Sequence, residues 1–583
     1  MGPLRGLPGL LSEIFRTSGP GNLRRGQLRT CHVITKRNRT GTWRALRGAV
    51  AGLLAAAVAL GVAELAAGIT GPLSSPVIAV GGAAINLTPV PVKDFAIVHF
   101  GSHDKMALEL GILVLLAAFA ALIGALAMRW LAVGLAGLVL FGVLGVVAAL
   151  NSASSGPADA LPSVVGVGAA AVVLTVLIRA ARGTRRETAH RGAVMSGDPF
   201  IADTGITAFA RPDVPDTGES SGPSRAPAGP SRRGFLALAG AAAAVAAVSG
   251  GAGDVVLRRF SAAAARAGVR LPRAAVKAAP VPAGAELNVS GITSFFTPDS
   301  SFYRVDTDLI VPQVSPEDWT LQITGMVDRE IDLTFAELLR LPLIEHDMTL
   351  VCVSNAVGGP YAGNARWLGA SLPALLRRAG VKRGADQVLS MSIDGMTIST
   401  PVDTIMDGRQ ALIAVGMNGQ PLPLDHGFPA RMLVPGLYGY VSATKWVTRL
   451  ELTTFASQRG YWTQRGYAAR APIKTESRID VPAPLSQLKA GKSAVAGVAW
   501  APHRGISAVE VNVDGGAWHT ATLAAADGTD TWRQWLWAWD AGPGLHTLQV
   551  RATDGTGATQ SAERDGVFPD GATGWDSVVV TVI

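Results

Sequence analysis

Cys352 lies in the run Thr349-Leu-Val-Cys-Val-Ser-Asn355, in the half of the chain whose composition is that of an ordinary soluble protein. The only other cysteine, Cys31, belongs to a basic N-terminal stretch, so this half holds no internal disulfide. Three roles are then open for Cys352: an inert buried thiol, a nucleophile, or a soft ligand for a metal. Residues about eighty positions downstream favour the metal.

The downstream segment is shaped by glycine and proline and carries cationic side chains. It reads Met417-Asn-Gly-Gln-Pro-Leu-Pro-Leu-Asp-His426-Gly-Phe-Pro-Ala-Arg431-Met-Leu-Val-Pro435-Gly436, and Lys445-Trp446 follows. Arg, Lys and His in fixed geometry are the side chains that bind a phosphate. Each of them alone is more often an ordinary polar group, but the set indicates an anion-binding loop.

Two further segments complete the pattern: Thr297-Pro298 with Phe302-Tyr303, and Asn364-Ala-Arg-Trp367-Leu-Gly369. With them, residues 290–583 resemble the sulfite oxidase family of molybdopterin enzymes. The resemblance implies a molybdenum–molybdopterin cofactor with Cys352 as catalytic metal ligand, and Arg366 as the residue that contacts substrate. A salt bridge or a helix cap is the alternative for Arg366. The implied cofactor-binding residues are Ser300, Tyr303, His426, Arg431, Ser442 and Lys445.

Two departures from the family pattern bear on the substrate. An arginine pair that sulfite oxidases have after the cysteine is replaced here by Ala356-Val357-Gly358-Gly359, and Thr307 stands where a histidine is frequent. We therefore expect two-electron oxygen-atom transfer on a small oxyanion or sulfur compound, with a weaker anion pocket. The alternatives are a reductase of sulfoxide-type substrates, or a cofactor-free membrane-tethered binding module.

The first half of the chain is apolar and predicts a membrane region. Stretches of about 20 apolar residues can cross a bilayer as helices. Four of them are long enough and a fifth is shorter and Ala-rich: Leu46–Ile69, Met106–Met128, Trp130–Leu150, Leu161–Ile178 and Phe235–Gly250. Arginines flank these stretches and account for much of the net charge of +8, so membrane topology explains the charge better than nucleic-acid binding. The positive-inside rule then places the chain beyond the fifth stretch outside the cytoplasm.

The fifth stretch begins with Ser231-Arg-Arg-Gly-Phe-Leu236, which resembles a twin-arginine transport signal in an internal position. That pathway moves folded domains, as a domain loaded with cofactor in the cytoplasm requires. The alternative is that two arginines merely end a cytoplasmic loop.

Local patterns predict an α+β catalytic domain followed by an immunoglobulin-like β-sandwich. Thr334 with Glu337 forms a capping box, and Ser371-Leu-Pro373 begins a helix over Leu372–Ala379. Asp514-Gly-Gly516 predicts a hairpin, and Trp535, Trp537 and Trp539 alternate along one strand. The predicted strands of the catalytic domain are Trp319–Thr324, Met348–Val353, Ala411–Val415, Ala430–Val434 and Arg449–Thr453.

These patterns divide the 583 residues into seven parts. They are a basic N-terminus (1–45), four transmembrane helices (46–180), a flexible cytoplasmic linker (181–233), a fifth transmembrane helix (234–252), a tether (253–291), a molybdopterin-binding domain (292–478) and the immunoglobulin-like domain (479–583). The last resembles the family's dimerisation domain, which implies a homodimer. The sequence has no Cys-x-x-Cys-His haem motif, iron–sulfur cysteine set or Rossmann fingerprint, so we expect a separate electron-transfer partner.

Overall fold

The computed structural model describes residues 26–89, 92, 104–151, 156–193, 232–257 and 261–583. Most of the predicted cytoplasmic linker, including Ser231 of the twin-arginine pattern, lies outside these ranges. The described residues form two compact units. The first holds those within 26–61, 114–141, 166–193 and 232–248, and the second holds those within 62–89, 104–113, 142–151, 156–165, 249–257 and 261–583, together with residue 92.

The described residues include five helices that are long and apolar enough to cross a membrane. They confirm the predicted stretches, and the fifth is longer than predicted because its apolar face continues to Leu257. A shorter apolar helix, α2, follows the first in a region that the sequence left unassigned. The helices are α1 (Gly26–Thr70), α2 (Pro76–Leu87), α3 (Asp104–Ala127), α4 (Leu131–Leu150), α5 (Leu161–Ala193) and α6 (Arg232–Leu257).

Glycines allow close packing between helices of the first unit. A Cβ atom placed on Gly52 of α1 would lie 2.0 Å from the carbonyl oxygen of Ala120 in α3. A Cβ atom on Gly124 would lie 2.2 Å from the carbonyl oxygen of Gly48. Small residues at such crossings let backbones approach each other, as is common between membrane helices.

The catalytic region is a mixed α+β structure built on two sheets. One has the strand order β2-β1-β10-β5-β6, and the other has the order β3-β4-β7-β8 with β9 paired to β7. The strands are β1 (Thr320–Gly325), β2 (Ile331–Thr334), β3 (Leu343–Val351), β4 (Ala362–Ser371), β5 (Gln387–Ser392), β6 (Thr397–Pro401), β7 (Leu412–Met417), β8 (Gln420–Pro421), β9 (Arg431–Leu433) and β10 (Val447–Thr453). The helices are α7 (Ala263–Gly268), α8 (Phe335–Arg340), α9 (Leu372–Ala379) and α10 (Val402–Met406).

The helix ends follow the sequence signals. Thr334 accepts a hydrogen bond from the amide of Glu337, and the Glu337 carboxylate accepts one from the amide of Thr334, so the predicted capping box is present. Ser371 caps α9, and Gly380 ends it in a left-handed conformation with φ of 73°. Helix α9 has the predicted bounds.

The C-terminal region consists of two further sheets that share a core. Their orders are β11-β13-β17-β16 and β12-β19-β18-β14-β15. Trp535 and Trp539 of β17 are buried in this core with Val509 and Val511 of β14, as the alternating pattern predicts. The immunoglobulin-like topology stays a prediction. The strands are β11 (Glu476–Val481), β12 (Gln487–Leu488), β13 (Gly491–Trp500), β14 (Ile506–Val513), β15 (His519–Thr520), β16 (Thr522–Leu523), β17 (Arg533–Ala541), β18 (Gly544–Asp554) and β19 (Asp576–Val582).

The segment predicted as a tether is packed against the catalytic region. Arg266 of α7 donates hydrogen bonds of 2.7 Å to the carbonyl oxygens of Leu422 and Pro421. The amide of Leu287 donates to Gln534 Oε1 at 2.6 Å. The hydrogen-bond partners of this segment are far from it in sequence. Its local composition therefore could not predict that it packs against the catalytic region.

A loop of the C-terminal region is hydrogen-bonded to β3. Thr349 donates its amide hydrogen to the carbonyl oxygen of Asp530 at 2.9 Å, and its hydroxyl accepts from the amide of Trp532 at 2.7 Å. The Trp532 indole donates to the carbonyl oxygen of Phe295 at 2.8 Å. Strand β3, which leads directly into Cys352, is therefore held from both sides.

Candidate active site

A cavity of about 390 Å³ lies between the ends of the strands in the catalytic region. Its walls come from the segment after α7, the turn after β3, the β5–β6 hairpin, and the loops on either side of β9. Five of the predicted site residues line it: Tyr303, Cys352, His426, Arg431 and Lys445. Segments more than a hundred residues apart in sequence thus meet at one place.

Cys352 is the first residue after β3, and its side chain faces the cavity although it is 8% exposed. Its amide donates to the carbonyl oxygen of Tyr361 at 2.9 Å, which fixes the turn. The amide of Ser354 donates to Cys352 Sγ at 3.4 Å. Burial raises the pKa of the thiol, so the free side chain stays protonated until a metal displaces the proton.

The loop that carries His426 and Arg431 depends on a glycine between them. Gly427 has φ of 108°, and a Cβ atom there would lie 3.1 Å from the Cα atom of Lys445. Only glycine allows both the backbone conformation and the close approach. The loop and Lys445 are thereby brought to the same wall of the cavity.

Arg431 is a buried cation with few partners. Its Nη1 donates to the carbonyl oxygen of His426 at 3.0 Å, and its guanidinium lies 5.3 Å from the centre of the Trp367 ring. Among the described residues no partner is found for its buried Nε. Burial lowers the pKa of Arg431 to about 10, and burial together with the nearby cations lowers that of His426 to about 4.

Lys445 is largely shielded, with 10% of its side chain exposed, and it has an anionic partner. Its Nζ donates to Asp306 Oδ2 at 2.6 Å and to the carbonyl oxygen of Asp425 at 3.1 Å. Asp306 also pairs with Arg304 at 2.8 Å. Burial lowers the pKa of Lys445 well below its usual value. A phosphate at this wall would share Lys445 with Asp306.

Tyr303 lines the cavity beside Phe302, with the two rings stacked at 5.2 Å between centroids. Its phenol is buried, which raises its pKa, and the nearby Cys352 raises it further. The predicted contact of Tyr303 with a bound cofactor is therefore consistent with its position.

Three predicted site residues lie outside the lining of this cavity. Ser300 is exposed on a short 3-10 turn. The Ser442 hydroxyl donates to the carbonyl oxygens of Leu437 and Tyr438, so it stabilises its own loop. Arg366 lies on β4 and points away. The predicted contacts of these three with cofactor or substrate remain predictions that the lining does not support.

The position of Arg366 follows from strand alternation, because neighbouring residues of a strand face opposite sides. Trp367 packs against Phe302 and Arg431 on the cavity side. Arg366 therefore faces the other side, where its Nε and Nη2 donate to the two carboxylate oxygens of Asp347 at 2.7 and 2.6 Å. Asp347 is its registered neighbour on β3. The salt bridge considered as the alternative for Arg366 is the interaction present.

Several residues that line the cavity are not among those predicted from the sequence. Ser392, at the end of β5, has a buried hydroxyl for which no partner is found among the described residues. Asp394 follows it in the hairpin, and Trp462 with Tyr467 forms an aromatic edge. The Asp394-Gly395 turn was visible in the sequence, but only the fold shows that it faces Cys352.

The residues present fit a phosphorylated pterin cofactor with a thiolate-bound metal. A thiol, two cations and a histidine open into one cavity, and the buried Arg431 Nε and Ser392 Oγ both lack partners within the described part of the chain. Buried polar atoms normally have hydrogen-bond partners, so two unpartnered ones in a cavity indicate a polar ligand. Cys352 would hold the metal, and Arg431, His426 and Lys445 would hold the phosphate.

Comparisons with known proteins agree with this assignment. Residues 308–462 match the family model of the oxidoreductase molybdopterin binding domain. Mitochondrial sulfite oxidase of Drosophila melanogaster is 30% identical over 308 residues, which cover 45% of this chain and 52% of that protein. Sulfite oxidase of Gallus gallus is 31% identical over 288 residues, which cover 42% of this chain and 62% of that protein.

Among solved structures, the sulfane dehydrogenase SoxCD from Paracoccus pantotrophus matches 51% of this chain and 86% of its own, with 24% identity and a TM-score of 0.44. The chain thus spans between half and two thirds of the length of the two sulfite oxidases.

Proposed function

We propose that this chain is a molybdopterin-dependent oxidoreductase of the sulfite oxidase family that catalyses two-electron oxygen-atom transfer on a small oxyanion or sulfur compound. The match of residues 308–462 to the family model and the likeness to two sulfite oxidases support this proposal. The observation that carries the proposal is the meeting of Cys352 with His426, Arg431 and Lys445 in one cavity. When bound there, the molybdenum cofactor supplies the redox chemistry, and the chain supplies binding, orientation and electrostatics.

Each residue has a distinct part in this proposal. Cys352 contributes the thiolate ligand, and its amide contact with Tyr361 fixes the ligand's direction. Arg431 meets the phosphate with its Nε, for which no partner is found among the described residues. Neutral His426 lies beside it, and its single ring N–H donates to the carbonyl oxygen of Asp299 at 3.3 Å, so His426 shapes the site. Tyr303 and Phe302 cover one side of the cavity and exclude water from it.

A second candidate is the reduction of sulfoxide-type substrates. The observation that favours it is the engagement of Arg366 by Asp347 on the face of β4 away from the cavity. Of the arginines that line the cavity, Arg304 is paired with Asp306, and Arg431 lies at the predicted phosphate site. A bare dianion such as sulfite therefore has little cationic support, whereas a neutral sulfoxide needs less.

We further propose that the protein is anchored in a membrane with its catalytic domain on the extracytoplasmic side. The five long apolar helices and the arginines beside them support this topology. The internal Arg232-Arg233 pattern would then act as a twin-arginine signal. We also propose a separate electron-transfer partner and a homodimer through an immunoglobulin-like domain of residues 479–583. These follow from the family resemblance.

The test uses the full chain in lipid nanodiscs, purified from cells that make the cofactor. Molybdenum and pterin are measured first, and turnover with sulfite and with methionine sulfoxide is then compared using artificial electron carriers. We expect close to one molybdenum per chain, and a preference for one substrate decides the direction. A protein that contains no molybdenum, although its host cells are well supplied with the metal, would contradict the proposed enzymatic function and favour a binding module. Cys31→Ser serves as the matched control for Cys352→Ser.

A further inference from the structure

The cavity has an outer wall that comes from the membrane region. Ile85 and Thr88 at the end of α2, together with Val92 and Leu108, line the same cavity as Cys352 and Lys445. Three of these four side chains are aliphatic, and the fourth carries a methyl group. The inner wall, in contrast, carries the thiol and the cations.

Helix α2 packs closely against the catalytic region. A Cβ atom on Gly81 would lie 2.6 Å from Leu309 Cδ2, so a side chain larger than hydrogen displaces one of the two. Leu309 is buried and lies two residues after the segment Phe302–Thr307, which lines the inner wall. One continuous piece of chain therefore connects the seat of α2 with the cavity.

The topology of the membrane helices is consistent with this contact. The segment that contains α2 follows one predicted membrane crossing, and the catalytic region follows five. Because both numbers are odd, both parts of the chain lie on the same side of the membrane in the proposed topology. The last turns of the first and fifth crossings also pack together. A Cβ atom on Gly68 would lie 2.7 Å from Val256 Cγ1, and one on Gly253 would lie 2.9 Å from the backbone of Glu64.

We propose that this aliphatic wall selects substrates that carry an apolar substituent next to the reacting oxygen-bearing group. The inference rests on the proposed oxygen-atom transfer and names its substrate class: small organic sulfur compounds, with inorganic oxyanions disfavoured. Because the proposed cofactor would occupy the cationic inner wall, a substrate bound beside it would face Ile85, Val92 and Leu108. Burial of an aliphatic group against such a wall is favourable and roughly proportional to the apolar area removed from water.

The test is a titration of the molybdenum-loaded full chain, in nanodiscs, with methane-, ethane-, propane- and butanesulfonate. These probes share one sulfur oxyanion and differ only in apolar length. A fully buried methylene improves affinity by about fourfold, and we expect about two- to fourfold per methylene here. Binding is measured by calorimetry, which needs no turnover.

Two aspartate variants on the same helix separate the wall from a general effect on α2. Ile85→Asp places a charge in the wall and should abolish the dependence on chain length. Leu87→Asp is the matched control, because Leu87 is 84% exposed and does not line the cavity, and it should keep the dependence. If Ile85→Asp fails to insert into the membrane, Ile85→Ala replaces it in the test. This change removes volume without adding charge, and the dependence of affinity on chain length should then be intermediate.

Affinity that is independent of chain length in the unmodified protein would overturn the proposal, as would equal slopes for Ile85→Asp and Leu87→Asp. Molybdenum content and turnover of the same preparation test the proposed function separately. If the protein contains molybdenum and turns over but its affinity does not change along the sulfonate series, the proposal for the aliphatic wall is wrong and the proposed function stands. If the chain contains no molybdenum, the proposed function is wrong.

Discussion

Two arginines of one sheet region, Arg431 and Arg366, have opposite environments. Arg431 begins β9, is buried, and has a Nε for which no partner is found in the described ranges. Arg366 on β4 donates two hydrogen bonds to Asp347, and these bonds raise its pKa, whereas burial lowers that of Arg431. The sequence motifs gave both arginines a role in binding an anion.

The difference teaches how to tell a ligand-binding cation from a structural one. A structural cation brings its own carboxylate, and removing it leaves that carboxylate buried and unpaired. A ligand-binding cation is held without a matched charge, so the protein is less stable until the ligand arrives. Each prediction below tests one side of this contrast.

The largest effect is expected for Cys352→Ser in the cavity. A serine hydroxyl is a poor ligand for a soft metal site, so turnover should fall by at least about a thousandfold. Steady-state turnover of the loaded full chain is the measurement, with Cys31→Ser unchanged. Turnover that persists in Cys352→Ser would remove the ligand from the mechanism.

Arg431→Met should lower cofactor content by at least about tenfold, because the phosphate loses its buried cation. In chains from cells that lack the cofactor, the same change should raise stability by about 1 to 2 kcal/mol, since an unpaired buried charge disappears. Pterin analysis and thermal unfolding provide the two readouts. A destabilised cofactor-free variant would show that Arg431 is a structural cation.

Arg366→Met should have the opposite signature. Asp347, which is 6% exposed, would lose its bidentate partner, and we expect a loss of about 2 kcal/mol with cofactor content unchanged. The double variant Arg366→Met/Asp347→Asn should recover part of the loss. An unchanged melting temperature with a raised KM would instead assign Arg366 to the substrate.

The pKa of His426 predicts a smaller, pH-dependent effect in the cofactor-free chain. Its folded pKa of about 4 lies below the ordinary value of 6.5, so the unfolded state binds more protons between these values. Stability should therefore fall as the pH is lowered from 6.5 to 4, by on the order of 2 kcal/mol. Thermal unfolding of His426→Gln should lack this part of the pH dependence. Parallel curves for the two proteins would contradict a neutral buried His426.

Local signals in the sequence predicted the parts of the fold that depend on neighbouring residues. Helix α9 has its predicted bounds because Ser371 and Gly380 mark its ends. The cavity residues Cys352, His426, Arg431 and Lys445 could be found because each belongs to a family motif. The predicted substrate contact of Arg366 stays a prediction, and strand alternation relative to Trp367 could have shown that its side chain faces away from the cavity.

Long-range packing could not be predicted from the sequence. No local sequence pattern distinguishes Ser392, and only the fold shows that it lines the cavity. The pairing of Lys445 with Asp306 joins residues 139 positions apart. The seat of α2 on Leu309 depends on the absence of a side chain at Gly81. Such contacts arise from tertiary geometry, which no sequence window contains.

The hydrogen bonds between Thr349 and the Asp530–Trp532 loop have a consequence for how this protein can be divided. Cutting the chain between the catalytic and C-terminal regions would remove two of the hydrogen bonds of Thr349, those with Asp530 and Trp532, and the bond from the Trp532 indole to Phe295. Thr349 lies three residues before Cys352, the proposed metal ligand. The C-terminal region thus supports strand β3. We expect its removal to disturb the position of Cys352 in addition to any contact between subunits.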